Sequence, residues 1–361
     1  MWLDNITRPL LDGGVLARYV DSKLTSGLTS NPSIFDAAIA GSGAYDADIF
    51  EKACLGTDVE RAFFELALHD LKRAADLFRP VFDVASGIDG WVSMEISPLL
   101  ANDTAGSLLA AASLHAEADR PNLFVKIPGT PAGRMAIEEA TAAGIPVNVT
   151  LLFSVEQYLA AAAAYLRGIE RRIVLGCDPA VCSVASIFVS RWDGAVNARL
   201  PADLRNQLGI AVARSIYRSH RELMESTRWR RAIAAGAKAQ VLLWASTGQN
   251  DPALSPTLYF DALASADTII TVPESVLASA GARAVSRVPM RVDGDDSDVV
   301  LERVRSRGVE IVSIAITLQL DGTRAFVEAW RRVLQRLVDK GARAGRPAGD
   351  GLATTVGSPE S

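Results

Sequence analysis

Cysteine and histidine are scarce in this chain of 361 residues, which contains three of each. The cysteines, Cys54, Cys177 and Cys182, form no CxxC pair and leave one thiol over, which favours a reducing cytoplasm. We expect them to be small buried apolar groups rather than redox centres. The histidines lie far apart and offer no HxxxH or HExxH spacing, so we predict no metal site.

Long apolar runs and an excess of positive charge are also missing. The longest apolar run, residues 159–166, is far shorter than the roughly 20 residues that a membrane-spanning helix needs. No signal peptide precedes Trp2, and the formal net charge of −5 gives no basic footprint for nucleic acid. We therefore predict a cytoplasmic protein with neither a membrane nor a nucleic acid as its partner. Because 49% of the residues are apolar and 22% are charged, a folded core is expected.

One lysine stands inside a segment that otherwise predicts a buried strand. In residues 122–130, NLFVKIPGT, apolar residues flank Lys126 on both sides, and Pro128 ends the strand pairing. An ammonium group at the end of such a strand must be paired, lose its proton or react, and a neutral amine attacks carbonyls to form a Schiff base. The alternative is a lysine whose head reaches out of the strand end into water.

The spacing of the predicted strands indicates the architecture. Eight strands end on polar residues, namely Asp4, Asn31, Glu95, Lys126, Thr150, Ser186, Ser246 and Thr271. Most of the gaps between them fit one strand and helix of about 30 residues, and two longer gaps leave room for extra helices. We predict a single-domain α/β (β/α)₈ TIM barrel over residues 1–340, followed by a disordered tail over 341–361. A doubly wound open sheet is the alternative, but no GxGxxG or GxxxxGK[ST] follows a strand.

Local patterns add four expectations. Residues 9–22 predict one helix, and Asn31 and Pro32 predict an N-cap and a first helical residue. Residues 184–191 predict a buried strand whose edge carries both Ser186 and Arg191. Residues 309–320 are ambiguous between strand and helix.

A barrel would bring the polar strand ends to one mouth. An amine beside two carboxylates and several amides and hydroxyls has the parts for carbonyl condensation: a nucleophile, a proton acceptor and groups that position water. Arg191, together with the hydroxyls of Ser186 and Ser246, could hold a phosphate, because guanidinium binds phosphate bidentately. The alternative for Arg191 is an ion pair with Asp193 or another acid at the rim. The residues expected at the mouth are Asp4, Asn31, Glu95, Lys126, Asn148, Thr150, Ser186 and Arg191.

Seven motifs together resemble the transaldolase family in its longer bacterial form, within the Schiff-base-forming class I aldolases. They are WLD (2–4), LTSNPS (28–33), VSME (92–95), VKIPGT (125–130), VNVTLLFS (147–154), SIFVSR (186–191) and WASTG (244–248). The resemblance covers about residues 2–337 and keeps the order of the motifs. It implies transfer of a dihydroxyacetone unit from sedoheptulose 7-phosphate to glyceraldehyde 3-phosphate, in the pentose phosphate pathway. It implies sugar phosphate substrates and no cofactor, because the imine is itself the electron sink, and it is compatible with a homodimer.

The resemblance also implies a role for each motif residue. The catalytic residues would be Lys126, which forms the Schiff base, Asp4, which exchanges the C4 hydroxyl proton, and Glu95 and Thr150, which activate water. The substrate-binding residues would be Asn31 and Asn148 for hydroxyl groups and Ser186, Arg191 and Ser246 around the phosphate.

Two departures from the family pattern stand out. Relatives usually carry a lead-in segment of some two dozen residues before the first strand, so the true start is expected upstream of Met1 or Asp4 lies on a fraying strand. Relatives commonly hold a basic residue after the WASTG motif, where this chain has Gln249, Asn250 and Asp251. Phosphate binding is therefore expected to depend more heavily on Arg191.

Two rival functions are weighed against this prediction. The first is a fructose-6-phosphate-type aldolase that releases free dihydroxyacetone, but such relatives are much shorter and typically replace the water-activating glutamate by glutamine. Glu95 argues against it. The second is a non-catalytic barrel that binds sugar phosphates, which the intact set of Asp4, Glu95 and Lys126 disfavours.

Overall fold

The computed structural model describes residues 1–248, 254–263, 265, 267–283 and 290–344, and within them eight parallel strands close into a barrel in chain order. Each strand pairs with the next, and the last pairs with the first. The strands are β1 (Trp2–Asp4), β2 (Gly27–Thr29), β3 (Val92–Glu95), β4 (Leu123–Pro128), β5 (Val147–Leu152), β6 (Ser183–Phe188), β7 (Val241–Ala245) and β8 (Thr268–Val272). The predicted (β/α)₈ barrel is confirmed.

Helices follow the strands and form the outer layer of the barrel, with extra helices in the two long gaps. In the described part of the chain they are α1 (Arg8–Asp12), α2 (Val15–Asp21), α3 (Pro32–Gly41), α4 (Asp46–Cys54), α5 (Val59–Val84), α6 (Thr104–Ala118), α7 (Pro131–Ala142), α8 (Val155–Val174), α9 (Ser190–Val196), α10 (Leu208–Met224), α11 (Thr227–Ala234), α12 (Leu258–Leu263), α13 (Glu274–Arg283), α14 (Ser297–Arg305) and α15 (Ile311–Ala344). None of them is long and apolar enough to cross a membrane.

Short polar residues start the helices that follow three of the strands. Asn31, Thr130 and Ser154 each accept a hydrogen bond from a backbone N–H in the first turn of the helix they cap. These bonds satisfy N–H groups that a helix start leaves unpaired. The predicted N-cap at Asn31 is confirmed, and each cap fixes the direction in which the chain leaves the barrel mouth.

Strand β5 carries an irregularity near the mouth. Its register with β6 shifts between Val149 and Leu152, and Leu151 has a φ of +60°. A left-handed conformation costs an L-residue other than glycine roughly 1–2 kcal/mol, so the surrounding structure must hold it. Thr150 stands directly before this strained residue.

The last helix is longer than the sequence indicated. The ambiguous residues 309–320 belong to α15 from Ile311 onward, and the helix continues through Ala344, past the expected start of the tail at residue 341. Residues 345–361 lie outside the described residues. Helix α15 packs against α3, α4 and α5, and its side chains Gln319 and Phe326 reach the mouth of the barrel.

Three further local expectations were wrong. The predicted helix over 9–22 breaks into α1 and α2, because Gly14 adopts a left-handed φ of +64°. Arg191 does not lie on β6, which ends at Phe188; it lies in the first turn of α9. Cys54 and Cys177 are exposed rather than buried, because Cys54 ends α4 and Cys177 lies in the connection between α8 and β6, and Cys182 is half-buried.

Candidate active site

The inward-facing side chains of the barrel form two layers. The lower layer is an apolar plug made of Trp2, Trp91, Phe124, Val184, Leu243 and Ile269, in which Trp91 stacks on Phe124 with 3.9 Å between ring centroids. Side chains alternate along a strand, so the residues two positions after plug residues point inward as well, nearer the carboxyl ends. Asp4, Lys126 and Ser186 occupy these positions on β1, β4 and β6. The upper layer is therefore polar.

Above the plug lies a cavity of about 210 Å³. Seven of the nine predicted site residues line it, namely Asp4, Asn31, Lys126, Thr150, Ser186, Arg191 and Ser246. The other two, Glu95 and Asn148, are the strand partners of Lys126 on β3 and β5 and lie beside the cavity. The barrel thus brings together residues that are widely spread along the sequence.

Lys126 is buried, with 5% of its surface exposed. Its Nζ donates hydrogen bonds to the backbone oxygen of Ser30 at 3.1 Å and to Oγ1 of Thr29 at 3.4 Å. The head of the side chain therefore lies inside the barrel and lines the cavity, and it does not extend into bulk water. This position suits an amine that meets a carbonyl carbon in the cavity.

Two carboxylates share the electrostatic field of Lys126. Burial raises the pKa of Glu95 to about 7. The positive charge of Lys126 opposes this shift, the nearby Asp4 carboxylate adds to it, and the more weakly acting charge of Arg191 opposes it. Burial likewise raises the pKa of Asp4 to about 6, while the Lys126 charge lowers it. Both groups can exchange protons near neutral pH, as general acids and bases must.

Two buried polar groups of the site lack a protein partner among the described residues. Both carboxylate oxygens of Glu95 and the Oγ1 of Thr150 are buried without a hydrogen bond. Leaving a buried polar group unpaired typically costs about 1–3 kcal/mol, so such groups are suited to bind water or a substrate. Glu95 and Thr150 are thus suited to hold a water molecule near Lys126.

Asn148 forms side-chain hydrogen bonds with two serines. Its Oδ1 accepts a hydrogen bond of 2.6 Å from Ser186 Oγ, and its Nδ2 donates one of 3.1 Å to Ser93 Oγ. This chain of three side chains crosses β3, β5 and β6 beneath the cavity. It fixes the orientation of Ser186, which does line the cavity.

Arg191 reaches the cavity from α9 rather than from a strand. Its guanidinium lies over the Phe188 ring, 5.3 Å from the centroid, and burial lowers the Arg191 pKa while Asp321 and Glu95 raise it. The alternative ion pair with Asp193 is wrong, because the Asp193 carboxylate accepts hydrogen bonds from Tyr259 Oη and the Gly209 N–H instead. No carboxylate of the described residues lies within ion-pair distance of Arg191, which leaves it available to an anion.

Ser246 lies next to Arg191 at the rim. It has a φ of +54°, and its Oγ lies 3.0 Å from Ser190 Oγ. The expected departure at Gln249, Asn250 and Asp251 falls outside the described residues.

The family model described as Transaldolase/Fructose-6-phosphate aldolase matches residues 1–337. The chain belongs to this family. A transaldolase of Thermobifida fusca (strain YX) is 40% identical to it over 349 residues, which cover 94% of this chain and 95% of the relative. A transaldolase of Saccharopolyspora erythraea is 39% identical over 342 residues, with 93% of each chain covered. A transaldolase of Parafrankia sp. (strain EAN1pec) is 38% identical over 346 residues, with coverages of 93% and 94%.

These matches confirm the predicted family over the predicted span and, with it, a transaldolase-type transferase. The transaldolase barrel also uses cavity residues that the sequence analysis missed. Thr29 contacts Lys126, and Phe188 and Phe326 line the cavity beside Arg191. The sequence could have indicated Thr29, because it is a polar residue at the end of a strand, as the predicted site residues are. No sequence pattern indicated Phe326, because it lies on α15, far along the chain from the strands.

Among the described residues there is no group of three or more His, Cys, Asp or Glu side chains that could hold a metal ion. The charged groups that face the cavity of this transaldolase are Asp4, Lys126 and Arg191, with Glu95 beside it. They suit a substrate with a carbonyl, several hydroxyls and an anionic end.

Proposed function

We propose that this transaldolase works through a Schiff base on Lys126. The observation that carries the proposal is the buried Nζ of Lys126 at the wall of the cavity, in the field of Asp4 and Glu95. Nζ adds to the C2 carbonyl carbon of a ketose phosphate, and the carbonyl oxygen leaves as water when the imine forms. The C3–C4 bond then breaks, its electrons move into the imine, and Asp4 accepts the proton of the C4 hydroxyl.

Water must leave and return at fixed stages of this cycle. We assign the positioning of that water to Glu95 and Thr150, because their buried oxygens lack protein partners among the described residues. A glutamate with a pKa of about 7 can give up a proton to the departing hydroxyl and take one from the returning water. Asn31 and Asn148 would orient substrate hydroxyls, Asn148 through its hydrogen bond with Ser186.

The proposed substrates are sedoheptulose 7-phosphate and glyceraldehyde 3-phosphate, which exchange a dihydroxyacetone unit to give erythrose 4-phosphate and fructose 6-phosphate. Arg191 has no carboxylate within ion-pair distance among the described residues and lines the cavity with Ser186 and Ser246, which supports a phosphate at that end of the cavity. This chemistry belongs to the pentose phosphate pathway. A reducing cytoplasm is supported by the free cysteines Cys54, Cys177 and Cys182. The homodimer and the lack of nucleic-acid partners stay predictions.

The two rival functions are less well supported. A non-catalytic sugar-phosphate barrel gives no reason for the buried amine of Lys126 beside two carboxyl groups, Asp4 and Glu95, whose pKa values burial raises to about 6 and about 7. An aldolase that releases dihydroxyacetone would need rapid hydrolysis of the three-carbon imine. Detection of free dihydroxyacetone without an aldehyde acceptor would favour it.

Borohydride reduction in the presence of fructose 6-phosphate tests the Schiff base. We expect the peptide that contains Lys126 to gain the mass of a reduced three-carbon adduct. The reason is that the three-carbon imine left after cleavage stays on Lys126 until an acceptor aldose reacts with it. Peptide mass spectrometry checks the site, and the other lysine peptides are the internal control. An unmodified Lys126 peptide during turnover would overturn the mechanism.

Arg191→Ala tests the phosphate site. We expect KM for fructose 6-phosphate to rise by about 10- to 100-fold, because hydrogen bonds to a charged group contribute roughly 1.5–3 kcal/mol. The KM for unphosphorylated fructose should stay the same. Arg199→Ala removes an exposed arginine just beyond α9 and is the matched control. An unchanged KM for the phosphorylated substrate in Arg191→Ala would remove Arg191 from the site.

A further inference from the structure

One turn of α15 contacts the strained part of β5. The Nε2 of Gln319 donates a hydrogen bond of 2.8 Å to the backbone oxygen of Leu151 and a longer one of 3.4 Å to that of Gly129. Leu151 has the left-handed φ and follows Thr150 directly. Gly129 is tied to Thr150 as well, because its N–H donates a hydrogen bond of 2.7 Å to the Thr150 backbone oxygen. The Gln319 amide therefore holds both chain segments next to Thr150.

The same turn also receives the Leu151 side chain. A Cβ added to Gly322 would lie 2.9 Å from Leu151 Cδ2 and 3.4 Å from an Arg191 guanidinium nitrogen. The absence of a side chain at residue 322 thus lets α15 approach β5 closely enough for the Gln319 amide to reach the Leu151 carbonyl. The helix is attached a second time through Gln157, which bonds the Phe153 N–H and the Ala315 oxygen.

We propose that Gln319 is a positioning residue for the water steps of the reaction, acting through the backbone that aims the Thr150 hydroxyl. The proposal rests on the role assigned to Thr150 above. Thr150 Oγ1 has no partner of its own among the described residues, so no hydrogen bond fixes it and its direction depends on the backbone and on the restricted χ1 rotamer of a β-branched residue. That backbone turns into a conformation that a leucine disfavours, and the Gln319 donor compensates for it. The reaction would thus depend on a side chain that does not line the cavity.

Two assays separate the water steps from carbon–carbon chemistry. Exchange of the C2 oxygen of fructose 6-phosphate with ¹⁸O-labelled water, counted above the spontaneous exchange measured without protein, reports imine formation and hydrolysis. Carbon–carbon bond formation is followed by loading Lys126 with the three-carbon unit, mixing with erythrose 4-phosphate and quenching with borohydride. The quenched adduct then changes from three carbons to seven, and no water enters or leaves before that change.

Gln319→Met removes the donor at nearly constant size. We expect it to slow oxygen exchange at least tenfold and to change the rate of the three-carbon to seven-carbon conversion less than twofold. Gln335→Met is the matched control, since it makes the same change at an exposed position of the same helix. In a Thr150→Ala background, Gln319→Met should slow oxygen exchange less than threefold further, because both changes act on one hydroxyl.

Gln319→Glu makes the hydrogen-bond donor at this position depend on pH, while the three-carbon to seven-carbon conversion reports any general damage to the barrel. A carboxylate would repel the two carbonyl oxygens, whereas a protonated carboxyl can donate a hydrogen bond to one of them. Its oxygen exchange relative to the original protein should be lowest at pH 8 and should recover several-fold toward pH 5. A ratio that does not change with pH would count against the proposal.

The outcomes distinguish this inference from the function it rests on. If the unchanged protein forms no adduct on Lys126, the Schiff base proposal fails. If it forms the adduct and Gln319→Met exchanges oxygen within twofold of it, the Schiff base stands and the positioning role of Gln319 is overturned. Equal slowing of both assays would overturn it too, because that result indicates general damage to the barrel.

Discussion

Lys126→Met is expected to lower kcat/KM by at least about 10⁴-fold, since removal of a covalent nucleophile costs on the order of 10⁶ in a well-studied covalent enzyme. The physical reason is that no other amine lines the cavity among the described residues. Without the positive charge of Lys126, the pKa values of Asp4 and Glu95 should rise further, because that charge lowers both. Coupled assays of fructose 6-phosphate formation give the rate, and borohydride trapping should show no adduct.

Lys126→Arg is the control for charge. It keeps a cation near the two carboxylates and can still donate to Ser30 and Thr29, but a guanidinium does not form the imine. We therefore expect it to be as inactive as Lys126→Met while it unfolds at a similar temperature. Removal of a nucleophile should lower activity far below about one hundredth of the original. Activity above that level in either variant would show that Lys126 is not the nucleophile.

Glu95→Gln is expected to have two opposite effects. Activity should fall by about 10²- to 10³-fold, because general acid–base catalysis by one group typically contributes 10²–10⁴ and an amide cannot exchange the proton. Oxygen exchange at C2 should fall in parallel, since the proposed role of Glu95 concerns water. Loss of carbon–carbon bond formation without loss of oxygen exchange would contradict this role.

Stability should change in the other direction, with a gain that builds up as the pH rises from 4.5 to about 7. The pKa of Glu95 is raised from 4.5 to about 7 in the folded chain, so the protonated form favours folding. That stabilisation is present below pH 4.5 and is lost as the pH rises through 7. Because the amide of the Glu95→Gln variant is neutral throughout, the variant should gain roughly 2–3 kcal/mol of unfolding free energy at about pH 8 and little at about pH 4.5.

Urea denaturation at the two pH values measures this difference. Glu328→Gln, at an exposed position of α15, is the matched control and should be neutral at both pH values. If Glu95→Gln does not stabilise the protein at pH 8, the Glu95 carboxylate has a partner in the folded protein that compensates for its burial.

The polar strand ends could be predicted because they follow a simple rule. Asp4 and Lys126 come two residues after buried aromatic residues on short strands, so the period of a strand places them in one layer. The position of Arg191 could not be predicted in the same way. Ile187, Phe188 and Val189 favour a strand, yet the strand ends at Phe188 and α9 starts at Ser190.

The sequence did not predict that α15 would contribute Gln319 and Phe326 near the site. Residues 309–320 were ambiguous because Val312, Ile316 and Leu320 are apolar but lie on the exposed side of the helix. They obscure the contrast between faces that identifies an amphipathic helix. The left-handed φ of Leu151 was equally hidden, since a leucine in a run of strand-forming residues gives no reason to expect it.

The apolar plug has a consequence for the order of events. It fills the barrel at the end opposite the mouth, so the cavity above it is a blind chamber. In the proposed mechanism, the aldose released by bond cleavage and the aldose that accepts the three-carbon unit must then pass through the same opening, one after the other. Under this proposal the first has to depart before the second can enter, and only the fragment bound to Lys126 stays behind.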